Sequence, residues 1–291
     1  MRTLAHALSL LLLAALPACA APRQSPPCED PRPLRVALVP VKNTHTQTRQ
    51  YRPLITALEA ATGRRVQAEP AKSYGSVIEG LLAGDIDLAE VGPASYAIAM
   101  KRGAQIDPIA SFTLQPGPAT PSSRAYHSVL ITRHDHPARD LKQLRGGTLS
   151  LTDPASTSGA ILPRQAVQRL TGVPLEAYFE RITFAGAHDR SIEAVRTGRV
   201  DATFVASNAV DDAVRNGALR MDEIRILWRS TPIPYDPFVT RRSLCPALQK
   251  QIRQVFLGDT GPLQGMFREL GMTGFVPVTD EDYRDIRQLY P

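Results

Sequence analysis

No apolar run in this 291-residue chain approaches the roughly 20 residues that a membrane-spanning helix needs; the longest, Leu8–Leu16, lies near the amino terminus. Cysteine is scarce, with three residues at positions 19, 28 and 245, and no Cys or His spacing matches a zinc site. His134 and His136 sit beside Pro137 in a polar turn and read as solvated surface. There is no Gly-x-Ser-x-Gly elbow and no carboxylate pair beside a candidate nucleophile, which argues against an enzyme. Internal repeats are absent. The net charge of +6 is spread thinly, with Arg64-Arg65 and Arg241-Arg242 the only doublets outside loops, so no stripe for nucleic acid is present.

What is there begins with a secretory signal over residues 1–20: the cation Arg2, the apolar run Leu8–Leu16, then small residues up to Ala21. Leu16-Pro17-Ala18-Cys19 resembles a bacterial lipobox, which would make Cys19 the acylated first residue of a membrane-anchored protein. Cleavage after Ala18-Cys19-Ala20 is the competing reading and would leave a free protein. Residues 21–33 are Pro-rich and read as a tether. Cys28 and Cys245 remain, and in an oxidising compartment they either pair or stand as two unrelated thiols.

From Leu34 onward, short apolar runs alternate with helical periodicity, the pattern of an α/β fold with parallel sheets covered by helices. Strands are expected at 35–40, 66–68, 86–91 and 109–114. Tyr51, Leu54, Ile55 and Leu58 form one helix stripe before Gly63, and Val77, Ile78, Leu81 and Leu82 form another before Gly84. The stretch Gln115–Ser123, rich in Pro, Gly and Ser, breaks the pattern and reads as a crossover. A second lobe follows, with strands at 126–132, 148–152, 182–185, 200–205 and 224–228. A second Pro-rich crossing, Thr231–Pro237, leads back. The division is thus 34–122 and 231–291 for the first lobe and 123–230 for the second, with a hinge of two crossovers and a cleft between. In open α/β sheets ligands bind at the carboxyl ends of strands, which singles out the loops after Val91, Thr152, Ala185 and Val205.

The run Thr152-Asp153-Pro154-Ala155-Ser156-Thr157-Ser158-Gly159 leaves a strand and opens a helix. A helix start offers unsatisfied N–H groups and the positive end of a dipole, so it suits an anion, and Ser156, Thr157 and Ser158 add three hydroxyls. A single Ser would suffice as a cap. His188 opens the next helix in Gly186-Ala187-His188-Asp189, where it can donate to an oxyanion or lie exposed. Tyr74 and Tyr96 in the first lobe can reach a cleft with their hydroxyls or pack within the core.

From Leu34 to about Leu257 the chain resembles the substrate-binding proteins of phosphate, phosphite and phosphonate ABC transporters, the PhnD-like family. The resemblance rests on six motifs in order: Gly84-Asp85-Ile86-Asp87, Gly92-Pro93-Ala94-Ser95-Tyr96, Asp153 to Gly159, Phe184 to Asp189, Gly198 to Ala202, and Ile233 to Pro237. It implies a type II periplasmic-binding-protein fold that holds its ligand through Ser156, Thr157, Ser158, His188, Tyr74 and Tyr96. Asp236 falls where aminoalkylphosphonate binders place an acid, but Asn208 falls about where a second acid would stand. An amide is the weaker counter-charge, which favours phosphate, phosphite or a small alkylphosphonate. Glu90 and His127 are variations of the pocket wall.

The expected function is that of an extracytoplasmic, periplasmic solute-binding protein of an ABC importer. It would work as a monomer without cofactor or metal, with a small phosphorus oxyanion as ligand and an inner-membrane ABC permease as partner. A periplasmic oxyanion sensor for a histidine kinase is the alternative, and an enzyme on the same scaffold a third reading.

Overall fold

The computed structural model describes residues 28–68 and 70–289; the signal segment, Cys19 and the first part of the tether lie outside the described residues. Its strands are β1 (Leu34–Leu38), β2 (Val66–Ala68), β3 (Leu88–Glu90), β4 (Ile106–Leu114), β5 (Ala125–Tyr126), β6 (Ser128–Arg133), β7 (Thr148–Leu151), β8 (Arg181–Phe184), β9 (Ala202–Ala206), β10 (Ile224–Arg229), β11 (Ile233–Pro234), β12 (Phe238–Arg241) and β13 (Met272–Val276). They form a six-stranded sheet in the order β13-β4-β12-β3-β1-β2 and a five-stranded sheet in the order β10-β6-β9-β7-β8.

Both sheets follow one scheme. Three parallel strands, β2-β1-β3 in the first lobe and β8-β7-β9 in the second, form one side. The strand that has just crossed from the other lobe, β12 or β6, then pairs antiparallel with the third of them. The sheets are therefore mixed, where parallel ones were expected. Apolar runs reveal that a strand is buried but not which way it points, and each crossing delivers its strand reversed.

Alternation along the strands feeds a core on each face. In β6, Val129 and Ile131 enter one cluster with Val205 and Val210, while Leu130 joins Leu149, Leu151 and Phe204 on the other side. In the first lobe Leu34 and Val36 pack with Leu54, Leu58 and Phe256, while Ala37 and Val39 pack with Tyr74, Val77 and Leu81. The two helix stripes read from sequence become the helices Arg52–Thr62 and Tyr74–Ala83. Each ends on a glycine in the left-handed region, Gly63 and Gly84. The helix Pro246–Leu257 packs on Arg52–Thr62 and returns the chain to the first lobe. Strand β13 and the helix Gln264–Leu270 before it have no counterpart in the sequence reading.

The two crossings meet as a small ribbon, with Ile233 opposite Tyr126 and Pro234 opposite Ala125. Tyr126 stacks on Tyr235 with ring centroids 5.5 Å apart, and Tyr235 meets Phe112 at 5.0 Å, so the hinge is stiffened by aromatic packing.

Residues 28–33 are not a free tether. Cys28 is disulfide-bonded to Cys245, and the backbones of Glu29 and Leu244 bridge beside it. Glu29 also meets Arg241 at 2.7 Å, and Arg241 shares the buried Asp87 with Arg35, at 2.6 and 2.8 Å. Burial works to raise the Asp87 pKa, but the hydrogen bonds from Arg35 and Arg241 outweigh it and hold the carboxyl below its ordinary value.

Candidate functional site

A cavity of about 280 Å³ lies between the lobes at the carboxyl ends of β3, β7, β8 and β9. Seven of the eight expected ligand residues line it: Ser156, Thr157, Ser158, His188, Tyr74, Asp236 and Asn208.

The hydroxyl triplet sits at a wide, π-type turn, Thr157–Ile161, which runs into the helix Leu162–Thr171. Such turns are rare and concentrate at functional sites. Ser156 caps the turn, its Oγ accepting from the Gly159 amide at 3.1 Å. Thr157 Oγ1 accepts from the Ala94 amide of the first lobe at 2.8 Å. A hydroxyl has one proton to give and two lone pairs, so an amide bound to the oxygen leaves the proton free for an anion. Gly159 is required for this geometry, because a Cβ there would lie 2.3 Å from Thr152 Oγ1 and 2.9 Å from Ser156 Oγ.

His188 begins the helix His188–Arg196, and its ring is buried. Nδ1 accepts from the Ala206 amide at 3.3 Å and lies 3.0 Å from Thr152 Oγ1. An amide can only donate, so Nδ1 is the acceptor and the proton of the neutral ring resides on Nε2. Burial lowers the ring's pKa to about 4, which keeps it a neutral donor near neutral pH.

Two tyrosines complete the donor end. Tyr74 and Tyr126 line the cavity together with the hydroxyl triplet. Burial first, and then the charge of Asp236, raises both phenols well above their ordinary value, so both remain protonated. Tyr126 was missed from sequence because it lies in the hinge ribbon, outside any loop that follows a strand of the parallel core.

The other side of the cavity holds acceptors. Tyr51 donates to Glu90 Oε1 at 3.0 Å, while among the described residues Glu90 Oε2 is buried without a partner, as is Asn208 Oδ1. Burial raises Glu90 to about 7 against the opposing effects of Tyr51 and Lys42. Asp236 is raised by burial and by Glu90.

The lobes touch around this cavity. The His188 amide donates to Val41 O at 3.0 Å, the Asn43 amide to Asp189 Oδ2 at 2.8 Å, and Lys42 Nζ to Asp212 Oδ2 at 2.6 Å. Ser95 Oγ donates to Ala155 O at 3.0 Å. The structure is thus a closed one. Lys42 and Tyr51 carried no motif in the sequence; only the fold brings them to the cavity.

Tyr96 corrects the expectation. It is fully buried but does not line the cavity: its hydroxyl donates to Asp280 Oδ1 at 2.7 Å and its ring meets Tyr283 edge-on. In the helix Pro93–Lys101, the first residues face the cleft, as the bonds of Ala94 to Thr157 and Ser95 to Ala155 show, and position 96 has turned away toward the carboxyl-terminal segment.

A family model described as the phosphonate ABC transporter periplasmic substrate-binding protein matches residues 36–283. The phosphate-import protein PhnD of Mycolicibacterium smegmatis is 30% identical over 280 residues, covering 89% of this chain and 85% of that protein. The phosphonates-binding periplasmic protein of Escherichia coli is 27% identical over 267 residues, covering 90% and 77%. In structure, the binding-protein component of an ABC phosphonate transporter from Pseudomonas aeruginosa superposes with a TM-score of 0.79 at 22% identity, covering 89% of this chain and 86% of that one. The fold is the two-lobed α/β fold of type II periplasmic binding proteins.

Proposed function

The chain belongs to the periplasmic substrate-binding proteins of phosphonate ABC transporters, and we propose that it closes its lobes around a phosphorus oxyanion and delivers the anion to an ABC permease. The observation that carries this reading is the donor set at one end of the cavity. Ser156, Thr157, Ser158, Tyr74, Tyr126 and the Nε2–H of His188 are all neutral, and among the described residues the one arginine lining the cavity, Arg215, lies at its far end. Neutral, fixed donors hold an oxyanion and release it, as a carrier must. Closure adds cross-lobe bonds that the open state lacks, so ligand and closed state favour each other.

Glu90 bears on the choice of anion. With Asp236 it supplies the second carboxyl that Asn208 does not, and its free Oε2 together with Asn208 Oδ1 calls for a hydrogen-bond donor on the ligand. That supports a substituted phosphonate alongside the bare anions. The same reading takes the protein as a monomeric carrier outside the cytoplasm rather than an enzyme. The Leu16–Cys19 pattern supports acylation at Cys19, which a mass measurement of the membrane-extracted protein tests.

Calorimetric titration with phosphate, phosphite, methylphosphonate, aminoethylphosphonate and sulfate tests the function. Saturable binding of a phosphorus anion, with sulfate inert, is expected. Sulfate binding as tightly as every phosphorus anion would overturn the proposal.

A further inference from the structure

The donor set occupies one end of a cavity much longer than a tetrahedral anion. From Ala206, whose amide touches His188, the cavity follows the helix Ser207–Arg215 to its far end. Nine positions at 1.5 Å each make this about 13 Å. The volume of about 280 Å³ approaches the ~300 Å³ at which pockets begin to hold drug-sized ligands. A phosphate or methylphosphonate has five heavy atoms and fills a fraction of it.

The chemistry changes along this length. Past Glu90 and Asn208 the first lobe contributes Phe112, Leu114, Leu270 and Met272, and the second faces them with Ala209 and Ala213. Phe112 and Leu114 lie on β4, and Met272, on β13, pairs with Leu114. The charged side chains of this stretch, Lys42, Asp212 and Arg215, are paired with one another through Asp212, and the rest of the wall offers carbon. The end is open, passing the exposed Asn216 and Ala218 beside Arg215, which donates to Leu270 O at 3.1 Å. An anion alone would leave this apolar wall facing water in the closed state, an unfavourable arrangement that a carbon chain would relieve.

We infer that the ligand is a phosphorus oxyanion carrying an apolar substituent several carbons long, which runs from the hydroxyl triplet along the helix Ser207–Arg215 against Phe112, Leu114, Leu270 and Met272. This inference rests on the phosphorus-oxyanion reading of the donor end. A phosphonate and a phosphate monoester share the chemistry and differ in a C–P or a C–O–P linkage.

Titration with phosphate, methylphosphonate, n-butylphosphonate and n-butyl phosphate tests it. A buried methylene is worth about fourfold in affinity, so n-butylphosphonate is expected to bind at least tenfold tighter than methylphosphonate; a similar gain of n-butyl phosphate over phosphate supports the inference equally and identifies the ester as a ligand. Ala213→Phe, which fills the apolar stretch, is expected to weaken n-butylphosphonate at least tenfold more than methylphosphonate. Equal affinities along both series, or equal losses in the variant, overturn the inference and leave the phosphorus reading standing. Failure of every phosphorus anion to bind overturns both.

Discussion

Lys42 Nζ donates to Asp212 Oδ2 at 2.6 Å, and this bond joins the two lobes at the wall of the cavity. Lys42 is 17% and Asp212 20% exposed, so the pair is more sheltered than a surface ion pair. It exists only when the lobes meet. Asp212→Asn is expected to weaken ligand binding by about threefold to tenfold, corresponding to ~0.7–1.4 kcal/mol, with little change in the melting temperature of the free protein. Calorimetry and thermal melting of the variant check both halves.

Two tyrosines that look alike in sequence should behave in opposite ways. Tyr126→Phe removes a hydroxyl from the donor set and is expected to cost about 1.5–3 kcal/mol of anion binding. Tyr96→Phe removes the bond to Asp280 and should lower stability by roughly 1 kcal/mol while leaving the dissociation constant as it was. A loss of affinity in Tyr96→Phe would contradict the placement of that ring.

Gly159→Ala puts a methyl 2.3 Å from Thr152 Oγ1, inside the turn that presents the hydroxyls. Overpacking of this kind costs about 1–3 kcal/mol. Denaturant unfolding should show that loss, and titration should show weaker binding, because Thr152 also touches His188.

The buried groups of the cavity pull the pH dependence of stability in opposite directions. His188 titrates at about 4 in the folded protein against 6.5 when unfolded, so its contribution is present above pH 6.5 and lost as pH falls toward 4. Glu90 titrates at about 7 against 4.5, so its contribution is present below pH 4.5 and lost as pH rises through 7. Asp236, also raised, adds to the slope of Glu90. Each of the first two shifts is worth at most about 3 kcal/mol. Glu90→Gln should therefore make stability rise more steeply between pH 4.5 and 6.5 than in the unaltered protein, and His188→Gln should tilt it the other way. Urea unfolding at several pH values reads the slopes; parallel curves would contradict the assignment.

The lobes, the crossings and the hydroxyl triplet were legible because each has a local signature: periodicity, clustered Pro and Gly, or donors at a helix start. The direction of β12 and β6 was not, since burial on both faces looks the same in a strand of either sense. Strand β13 was hidden because Met-Thr-Gly-Phe-Val is short and contains glycine. Tyr126, Lys42 and Tyr51 reach the cavity only through the pairing of the crossings and the packing of the first helices, which no local pattern encodes. Tyr96 was misjudged because a residue number near a helix start does not tell which way the ring turns.

The most direct test of the donor set is titration of methylphosphonate and phosphate into the protein carrying Ser156→Ala together with His188→Ala, with circular dichroism to establish that it folds. A folded variant whose affinity has dropped by about 100-fold or more, as loss of two donors to a charged group implies, is the expected result. Unchanged affinity in a folded variant would show that the anion binds elsewhere.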